Sequence, residues 1–222
     1  MIQKMHAAIF DLDGVVVDTA KYHYLAWKRL ANELGFDFTE AQNERLKGVS
    51  RIRSLEILLE VGNVCLDHDS KIQLAARKND WYVEYITHMD RAEVLPGATE
   101  YLDAIRARGV KTAIGSASKN TPLILDRLGI SSLFDAIVDG NTVSKAKPDP
   151  EVFLQAAQEL QISASNCVVF EDSEAGIEAA HRAGMIAVGI GRPFILKEAD
   201  AVIAGLHQLI TLSCTYSRLG NL

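Results

Sequence analysis

Residues 6–14 read HAAIFDLDG, a short apolar run that stops at two aspartates and a glycine. The run His6–Phe10 is short and apolar throughout, which is typical of a buried β-strand. The strand ends at Asp11–Gly14, so two carboxylates, Asp11 and Asp13, follow directly at its carboxyl end. These nine residues therefore predict a buried strand that carries an acidic turn.

A helical segment follows this strand. From Thr19 to about Asp90, apolar residues such as Leu30 and Leu34 recur at spacings near three and four, which is the period of an amphipathic helix. The segment contains no proline and no strand pattern, and it predicts about four helices. Leu95-Pro96-Gly97 then marks a boundary, because Pro and Gly together interrupt regular structure.

Strands and helices alternate after the boundary. Predicted helices begin near Thr121, run from about Pro150 to Leu160, and run from Ser173 to Ala183. The predicted strands are Val110–Ile114, Phe134–Val138, Cys167–Phe170 and Met185–Ile190. Such alternation produces a parallel sheet with helices on both faces. We therefore predict an α/β fold, with a doubly wound, Rossmann-like core domain (residues 1–15 and 92–222) and an inserted α-helical domain (residues 16–91), here called the helical insert.

The composition excludes several classes of protein. Of the 222 residues, 48% are hydrophobic and 23% are charged, as in soluble globular domains, and the net charge of −6 argues against a general binder of nucleic acid or of anionic membranes. Cys65, Cys167 and Cys214 are odd in number and far apart, which favours reduced thiols that pack in the interior. No signal peptide and no long apolar run is found, so we expect a cytoplasmic protein. We expect a monomer, because the helical insert must be free to open.

The candidate chemistry lies at the predicted strand ends, because ligands of open parallel sheets bind there. Clustered carboxylates repel one another unless a cation lies between them, and a set of oxygen ligands suits Mg²⁺. Ser116 and Lys147 can hold a phosphoryl group from the other side, one aspartate can attack phosphorus, and the other can move protons. The residues concerned are Asp11, Asp13, Ser116–Asn120, Lys145, Lys147, Glu171 and Asp172.

Each of these features also has an ordinary structural explanation. Acidic residues often cap turns at strand ends, and a serine before a helix is most often an N-cap. Lys147-Pro148 alone is a turn with a solvated lysine, and Glu171-Asp172 could cap a helix. Their occurrence at successive strand ends of one sheet favours a phosphoryl-transfer site.

The same residues resemble the four motifs of the haloacid dehalogenase-like phosphotransferases, with the helical insert in the place of that family's cap. The resemblance implies Asp11 as nucleophile, Asp13 as general acid and base, and Ser116 and Lys147 as ligands of the phosphoryl group. It also implies a Mg²⁺ ion held by Asp11, the backbone carbonyl of Asp13 and Asp172, with Glu171 close by.

The helical insert is similar to that of the bacterial β-phosphoglucomutases, on Asp18–Ala20, Tyr22-His23, Ala26-Trp27, Leu46–Arg51 and Arg77–Asp80, and Ser116–Asn120 is similar too. That family interconverts β-glucose 1-phosphate and 6-phosphate through an aspartyl phosphate and a sugar bisphosphate activator. The resemblance implies that the non-reacting phosphate is held by Arg51, Ser118, Lys119 and Asn120. It further implies a sugar pocket lined by His23, Gly48, Val49 and Lys78. Lys47 and His23 would couple closure of the helical insert to Asp13. Further substrate contacts would be Thr19, Trp27 and Ala117.

Several alternatives stay open at this point. A Mg²⁺-dependent sugar-phosphate phosphatase would use the same core motifs, whereas a phosphonate hydrolase would need a Schiff-base lysine and a silent binding protein would show a decayed motif. His23 could be a half-buried helix histidine, and Trp27 could belong to the interior of the insert. Arg77 and Lys78 could form a solvated helix face.

Overall fold

Six parallel strands form one sheet in the computed structural model, which describes residues 5–46 and 49–210. The strands are β1 (Ala7–Phe10), β2 (Lys111–Gly115), β3 (Ala136–Val138), β4 (Cys167–Glu171), β5 (Ile186–Ile190) and β6 (Ala201–Ile203). Their order is β3-β2-β1-β4-β5-β6, and all neighbours are parallel. The order reverses at β1, where a doubly wound sheet opens a crevice for ligands. The predicted fold class is confirmed.

Helices cover both faces of the sheet. The helices are α1 (Ala20–Glu33), α2 (Glu40–Asn43), α3 (Arg51–Val61), α4 (His68–Ile86), α5 (Ala98–Arg106), α6 (Thr121–Leu128), α7 (Glu151–Leu160) and α8 (Glu174–Arg182). Ala8 and Phe10 of β1 point to one face, where they pack in one cluster with α5 and α6, and Ala7 and Ile9 point to the other, with α7 and α8. Because β1 is covered on both faces, all four of its residues can be apolar and fully buried.

Two elements have no counterpart among the predicted ones. Strand β6 is a three-residue strand at the edge of the sheet, too short for a periodic pattern to show. Helix α5 does carry a signal, because its buried residues Ala98, Tyr101, Leu102 and Ile105 follow the spacing of one helix face. It begins immediately after the Pro96-Gly97 boundary.

The helical insert has an interior of its own. Helices α1, α3 and α4 pack around buried residues that include Trp27, Leu30, Phe38, Leu55 and Leu58. Local caps fix where its helices begin: Thr39 and Gln42 form a capping box at α2, Ser50 caps α3 and Asp67 caps α4. We therefore propose the division into residues 1–15 and 92–222 on one side and 16–91 on the other.

The described cysteines differ in their surroundings. Cys167 is buried in β4, as expected of a packing residue, but Cys65 is exposed in the connection between α3 and α4. The prediction of a packing role is therefore wrong for Cys65, because its connection lies at the surface. Cys214 falls outside the described residues. Within residues 5–46 and 49–210, which the structure describes, no helix is long and apolar enough to cross a bilayer.

Replacing Gly97 by alanine is expected to destabilise the protein by more than the usual strain of a left-handed residue. Gly97 has φ +80°, and a Cβ there would collide with the backbone of His207. Gly109 has nearly the same φ, +79°, with nothing within 4 Å of the added carbon. Gly109→Ala should lose about 1 kcal/mol of unfolding free energy from strain alone, and urea unfolding should show a clearly larger loss for Gly97→Ala. Equal losses would contradict the predicted collision.

Candidate active site

The register of the sheet brings the ends of the central strands level. Phe10 of β1 lies opposite Ile114 of β2 and Phe170 of β4. The backbone N–H of Asp11 donates to the carbonyl of Phe170 over 2.9 Å, which extends the ladder by one residue. Asp11 and Glu171 therefore emerge side by side at the carboxyl edge of the sheet.

Lys147 joins these acids from the connection between β3 and α7. Its ammonium Nζ donates to Oδ1 of Asp11 over 2.6 Å and lies 3.5 Å from Oε1 of Glu171. The side chain is 1% exposed, and its Nζ lies 4.8 Å from the centre of the Phe153 ring. Burial alone would lower the pKa of Lys147, but the carboxylates of Asp11, Glu171 and Asp172 together raise it, so the lysine stays charged.

Three carboxylates form a group that fits a metal ion. Asp11, Glu171 and Asp172 each offer an oxygen, and these atoms lie within 4.8 Å of one another. Burial raises the pKa of Glu171 to about 8, although Lys147 acts in the opposite direction. A cation bound beside Glu171 would stabilise the ionised form of its carboxyl group. The three oxygen donors suit a hard divalent cation. The carboxylate of Asp13 is not part of the group, and its backbone carbonyl as a ligand stays a prediction.

Two glycines make room for this group. Gly14 has φ +83°, and a Cβ on it would overlap the carboxylate of Asp172. Gly176, in the first turn of α8, would likewise place a Cβ on the carboxylate of Glu171. Ser173 caps α8 through the N–H of Gly176 and donates its hydroxyl to Glu171 over 2.6 Å. The start of α8 is thus built around the acid at the end of β4.

Asp13 is turned toward the helical insert. Its Oδ1 accepts a hydrogen bond from the hydroxyl of Thr19, the residue before α1. Burial and the neighbouring Asp11 carboxylate raise the pKa of Asp13 to about 6, against the hydrogen bond from Thr19. A carboxyl group with this pKa exchanges its proton near neutral pH, as a general acid and base must.

The residues Ser116–Asn120 after β2 form a loop that we call the phosphate loop. Ser116 is 1% exposed and does not line the cavity, and its Oγ accepts from the N–H of Ser118 over 3.1 Å. Ala117, Ser118, Lys119 and Asn120 do line the cavity. The backbone carbonyl of Lys119 accepts from Asn141, which ties the loop to the residues after β3.

A cavity of about 540 Å³ lies between the sheet edge and the helical insert. From the core domain it is lined by Asp11, Asp13, Lys147 and Asp172, together with the phosphate loop residues just named. From the insert side it is lined by Thr19, His23, Trp27, Val49, Arg51 and Lys78. Lys47 and Gly48, predicted to contact the substrate, lie outside the described residues.

A cluster of basic residues faces the acids from the helical insert, in which Lys78 is buried and His23 and Arg51 are half-buried. Nζ of Lys78 on α4 lies 3.0 Å from Nδ1 of His23 on α1, and it also lies over the rings of Trp27 and Tyr82. Burial lowers the pKa of Lys78 well below its usual value, and nearby Arg51 lowers it further. The pKa of His23 is lowered for the same reasons, by burial and then by Lys78 and Arg51. An anion in the cavity would relieve this repulsion.

These contacts decide two of the alternatives left open by the sequence. Lys78 is 3% exposed, so it does not belong to a solvated helix face, whereas Arg77 is exposed and pairs with Glu33. Trp27 is 2% exposed and belongs to the interior of the insert, yet it also borders the cavity.

Sequence reasoning did not assign four residues that border or support the site. Asn43, Ser54 and Asn79 line the cavity, and Tyr82 stacks on His23 with ring centres 4.0 Å apart. Ser54 and Tyr82 are buried polar residues on mostly apolar helix faces, and this is the signal that could have identified them. Asn43 is buried at the end of the four-residue helix α2, which is too short to show a periodic pattern, and Asn79 is half-buried on α4.

Comparison with known proteins identifies the family. The family model of the haloacid dehalogenase-like hydrolases matches residues 5–184. A β-phosphoglucomutase of Bacillus subtilis is 44% identical over 207 residues, which are 92% of this chain and 92% of that protein. The chain belongs to the haloacid dehalogenase-like superfamily and, within it, to the β-phosphoglucomutase family.

Two further proteins that are similar to this chain are informative. A crystal structure of a β-phosphoglucomutase from Clostridium difficile superposes with a TM-score of 0.88 at 40% identity and covers 97% of this chain and 98% of its own. A phosphorylated carbohydrates phosphatase of Thermotoga maritima is 32% identical over 82% of each chain. Mutases and phosphatases thus share this architecture.

Gly176→Ala is expected to destabilise the protein and to raise the Mg²⁺ concentration that activity requires. Alanine in a helix normally stabilises by about 1 kcal/mol relative to glycine, but the collision with Glu171 should reverse the sign and cost about 1–3 kcal/mol, as overpacking does. Urea unfolding and metal titration of activity measure the two effects. As the control, Gly184→Ala at the end of the same helix meets nothing within 4 Å and should leave the metal requirement unchanged. A stabilised Gly176→Ala protein would refute the predicted collision.

Proposed function

We propose that this chain is a β-phosphoglucomutase that interconverts β-D-glucose 1-phosphate and β-D-glucose 6-phosphate. The observation that carries the proposal is the pairing of two sets of groups across one cavity. The core domain presents Asp11, Asp13 and Lys147, which suit phosphoryl transfer, and the helical insert presents Arg51 and Lys78, which suit a second anion. Enzymes of this kind are isomerases, as the family of the chain implies.

In the first half-reaction, a sugar bisphosphate transfers one phosphoryl group to Asp11 and leaves as a sugar monophosphate. Lys147 binds Oδ1 of Asp11, so the other carboxylate oxygen is available to attack phosphorus. The bond from that oxygen to phosphorus forms as the bond from phosphorus to the sugar oxygen breaks, and Asp13 gives its proton to the departing oxygen. The positive charge of Lys147 stabilises the negative charge that spreads over the phosphoryl oxygens.

The second half-reaction passes this group from Asp11 to the 6-hydroxyl of β-glucose 1-phosphate, which becomes the bisphosphate. Asp13, now ionised, takes the proton of the attacking sugar hydroxyl, whose oxygen bonds to phosphorus as the bond to Asp11 breaks. The bisphosphate must turn round before its 1-phosphoryl group is transferred to Asp11 and glucose 6-phosphate is released, so its second phosphate needs a site of its own. We propose that Arg51, Ser118, Lys119 and Asn120 provide this site, since all of them line the cavity.

The metal of the proposed enzyme is Mg²⁺. Asp11, Asp172 and the backbone carbonyl of Asp13 would hold it, with Glu171 beside them. When bound, Mg²⁺ supplies charge neutralisation and orientation to the phosphoryl oxygens. Within the protein, Ser173 keeps Glu171 in place through its hydroxyl, and Lys147 balances the remaining negative charge.

A sugar-phosphate phosphatase is the second candidate function. The Thermotoga maritima relative that is named a phosphatase supports it, because the reacting groups of the core domain are the same for hydrolysis. The two functions differ in the acceptor: a phosphatase passes the group from Asp11 to water, whereas a mutase passes it to a sugar hydroxyl. The buried basic side of the helical insert favours the mutase, since water needs no anion site.

Phosphorus NMR distinguishes the two functions. With Mg²⁺, β-glucose 1-phosphate and a small amount of glucose 1,6-bisphosphate, we expect glucose 6-phosphate to form, to depend on the bisphosphate, and to be accompanied by little free phosphate. Free phosphate as the main product would establish a phosphatase instead.

Asp11→Asn should keep the fold and lose at least about 10⁴-fold in rate, as removal of a nucleophile does; substantial turnover by that variant would refute the assignment of Asp11.

Arg51→Ala should impair turnover of the bisphosphate more than hydrolysis of a small aryl phosphate. Arg51 lines the cavity, and its guanidinium can bind a phosphate through two hydrogen bonds, each worth about 1.5–3 kcal/mol with a charged partner. We therefore expect kcat/KM for the bisphosphate to fall by about tenfold or more. Arg53→Ala is the matched control, because Arg53 is exposed on the same helix and pairs with Glu56 and Glu60. Equal losses on both substrates would argue against a second phosphate site at Arg51.

A further inference from the structure

A hydrogen bond joins the helical insert to the phosphate loop. Nδ2 of Asn120 donates to Oδ1 of Asn79 over 3.0 Å. Asn79 lies on α4 of the insert, whereas Asn120 follows β2, 41 residues further along the chain. Both residues are half-buried and line the cavity. The bond therefore spans the boundary between the two sides of the site.

The side chain of Asn120 is directed away from its usual local partner. Asn120 is the N-cap of α6, but its side chain makes no capping hydrogen bond to that helix. An asparagine in this position ordinarily accepts a hydrogen bond from the first turn, a cap worth about 1 kcal/mol. Here the amide donates across the cavity to Asn79 instead. The helix thus gives up a local cap in favour of a contact with the insert.

The contact continues into the phosphate loop through further hydrogen bonds. The backbone N–H of Asn120 donates to Oγ of Ser118 over 3.2 Å, and the N–H of Ser118 donates to Oγ of Ser116 over 3.1 Å. Thr121 reinforces the same turn by donating its hydroxyl to the carbonyl of Ser118. Asn79 is therefore linked by three successive hydrogen bonds to Ser116 at the end of β2.

We propose that Asn79 is a positioning residue that orients Asn120 for the non-reacting phosphate of a sugar bisphosphate. A carboxamide carries two N–H donors, and the one that binds Asn79 fixes the plane of the amide, so that the other is held ready for a phosphate oxygen. The position of α4 and the geometry of the phosphate loop are coupled in this way. The inference rests on the proposed function, because the second phosphate site belongs to the mutase.

A double-mutant cycle on ligand binding tests the role of Asn79. In the Asp11→Asn protein, which cannot transfer phosphate, calorimetry with Mg²⁺ measures the Kd of glucose 1,6-bisphosphate. Asn79→Ala should raise that Kd by about three- to tenfold, the effect of one hydrogen bond. In an Asn120→Ala background the same change should raise Kd by less than about twofold, because the partner is already gone. Alanine is the better helix former, so the variant should fold.

The controls separate positioning from general damage. Gln73→Ala removes an exposed amide from the same helix, away from the cavity, and should leave Kd unchanged. With the native Asp11, Asn79→Ala should lose less in kcat/KM for an aryl phosphate, which has no second phosphate, than for the bisphosphate. Additive losses in the cycle, or equal losses on the two substrates, would overturn the proposal.

Failure of this inference can be distinguished from failure of the proposed function. The binding cycle needs no turnover, so it reports on Asn79 whichever product phosphorus NMR detects. A phosphatase that nevertheless shows coupling between Asn79 and Asn120 would refute the mutase and retain the coupling. A mutase with additive losses would do the reverse.

Discussion

The buried ion pair between Lys147 and Asp11 is the constraint around which the site is built. Its two residues are 136 positions apart, and both are almost inaccessible to solvent. A buried charge is tolerated only when it is paired, and here one ammonium group faces the carboxylates of Asp11, Glu171 and Asp172. This excess of carboxylates at the end of β1 favours the binding of a divalent cation there. The glycines at 14 and 176 and the cap at Ser173 keep the acids in place.

The helical insert faces these acids with basic groups. Lys78 is buried and His23 is half-buried on the cavity side of the insert, with Arg51 close enough to influence both, and burial lowers their pKa values, which disfavours their charged forms. Burial likewise disfavours the ionised forms of Asp13 and Glu171 in the core domain. In the proposed enzyme, a metal ion would stabilise the ionised acids and a phosphorylated sugar would stabilise the protonated basic groups.

The distinction between mutase and phosphatase depends on groups outside the reacting centre. In the proposed mechanism, attack by Asp11 and proton transfer by Asp13 would be the same in a mutase and in a phosphatase, and relatives with either name are similar in sequence to this chain. A mutase additionally needs a binding site for a second phosphate, and its phosphoenzyme must resist hydrolysis until a sugar phosphate binds. Arg51, the phosphate loop and the contact between Asn79 and Asn120 are the candidates for that addition.

The sequence by itself determined the doubly wound fold and the acids and lysine at the strand ends. The alternation of strand and helix patterns along the chain, and the position of a residue directly after a strand, are both local properties of the sequence. It could not show that Lys78 is buried beside His23 or that Tyr82 stacks on His23, since these contacts depend on how α1 and α4 pack. Nor could it show that Ser116, the first residue of the phosphate loop, is buried and does not line the cavity. It also gave no sign of β6, which exists because β5 offers it an edge. The hydrogen bond between Asn79 and Asn120 was decided by the tertiary structure alone: either side chain could have capped or met solvent locally, and only the packing of the insert against the sheet edge brings the two amides within 3.0 Å.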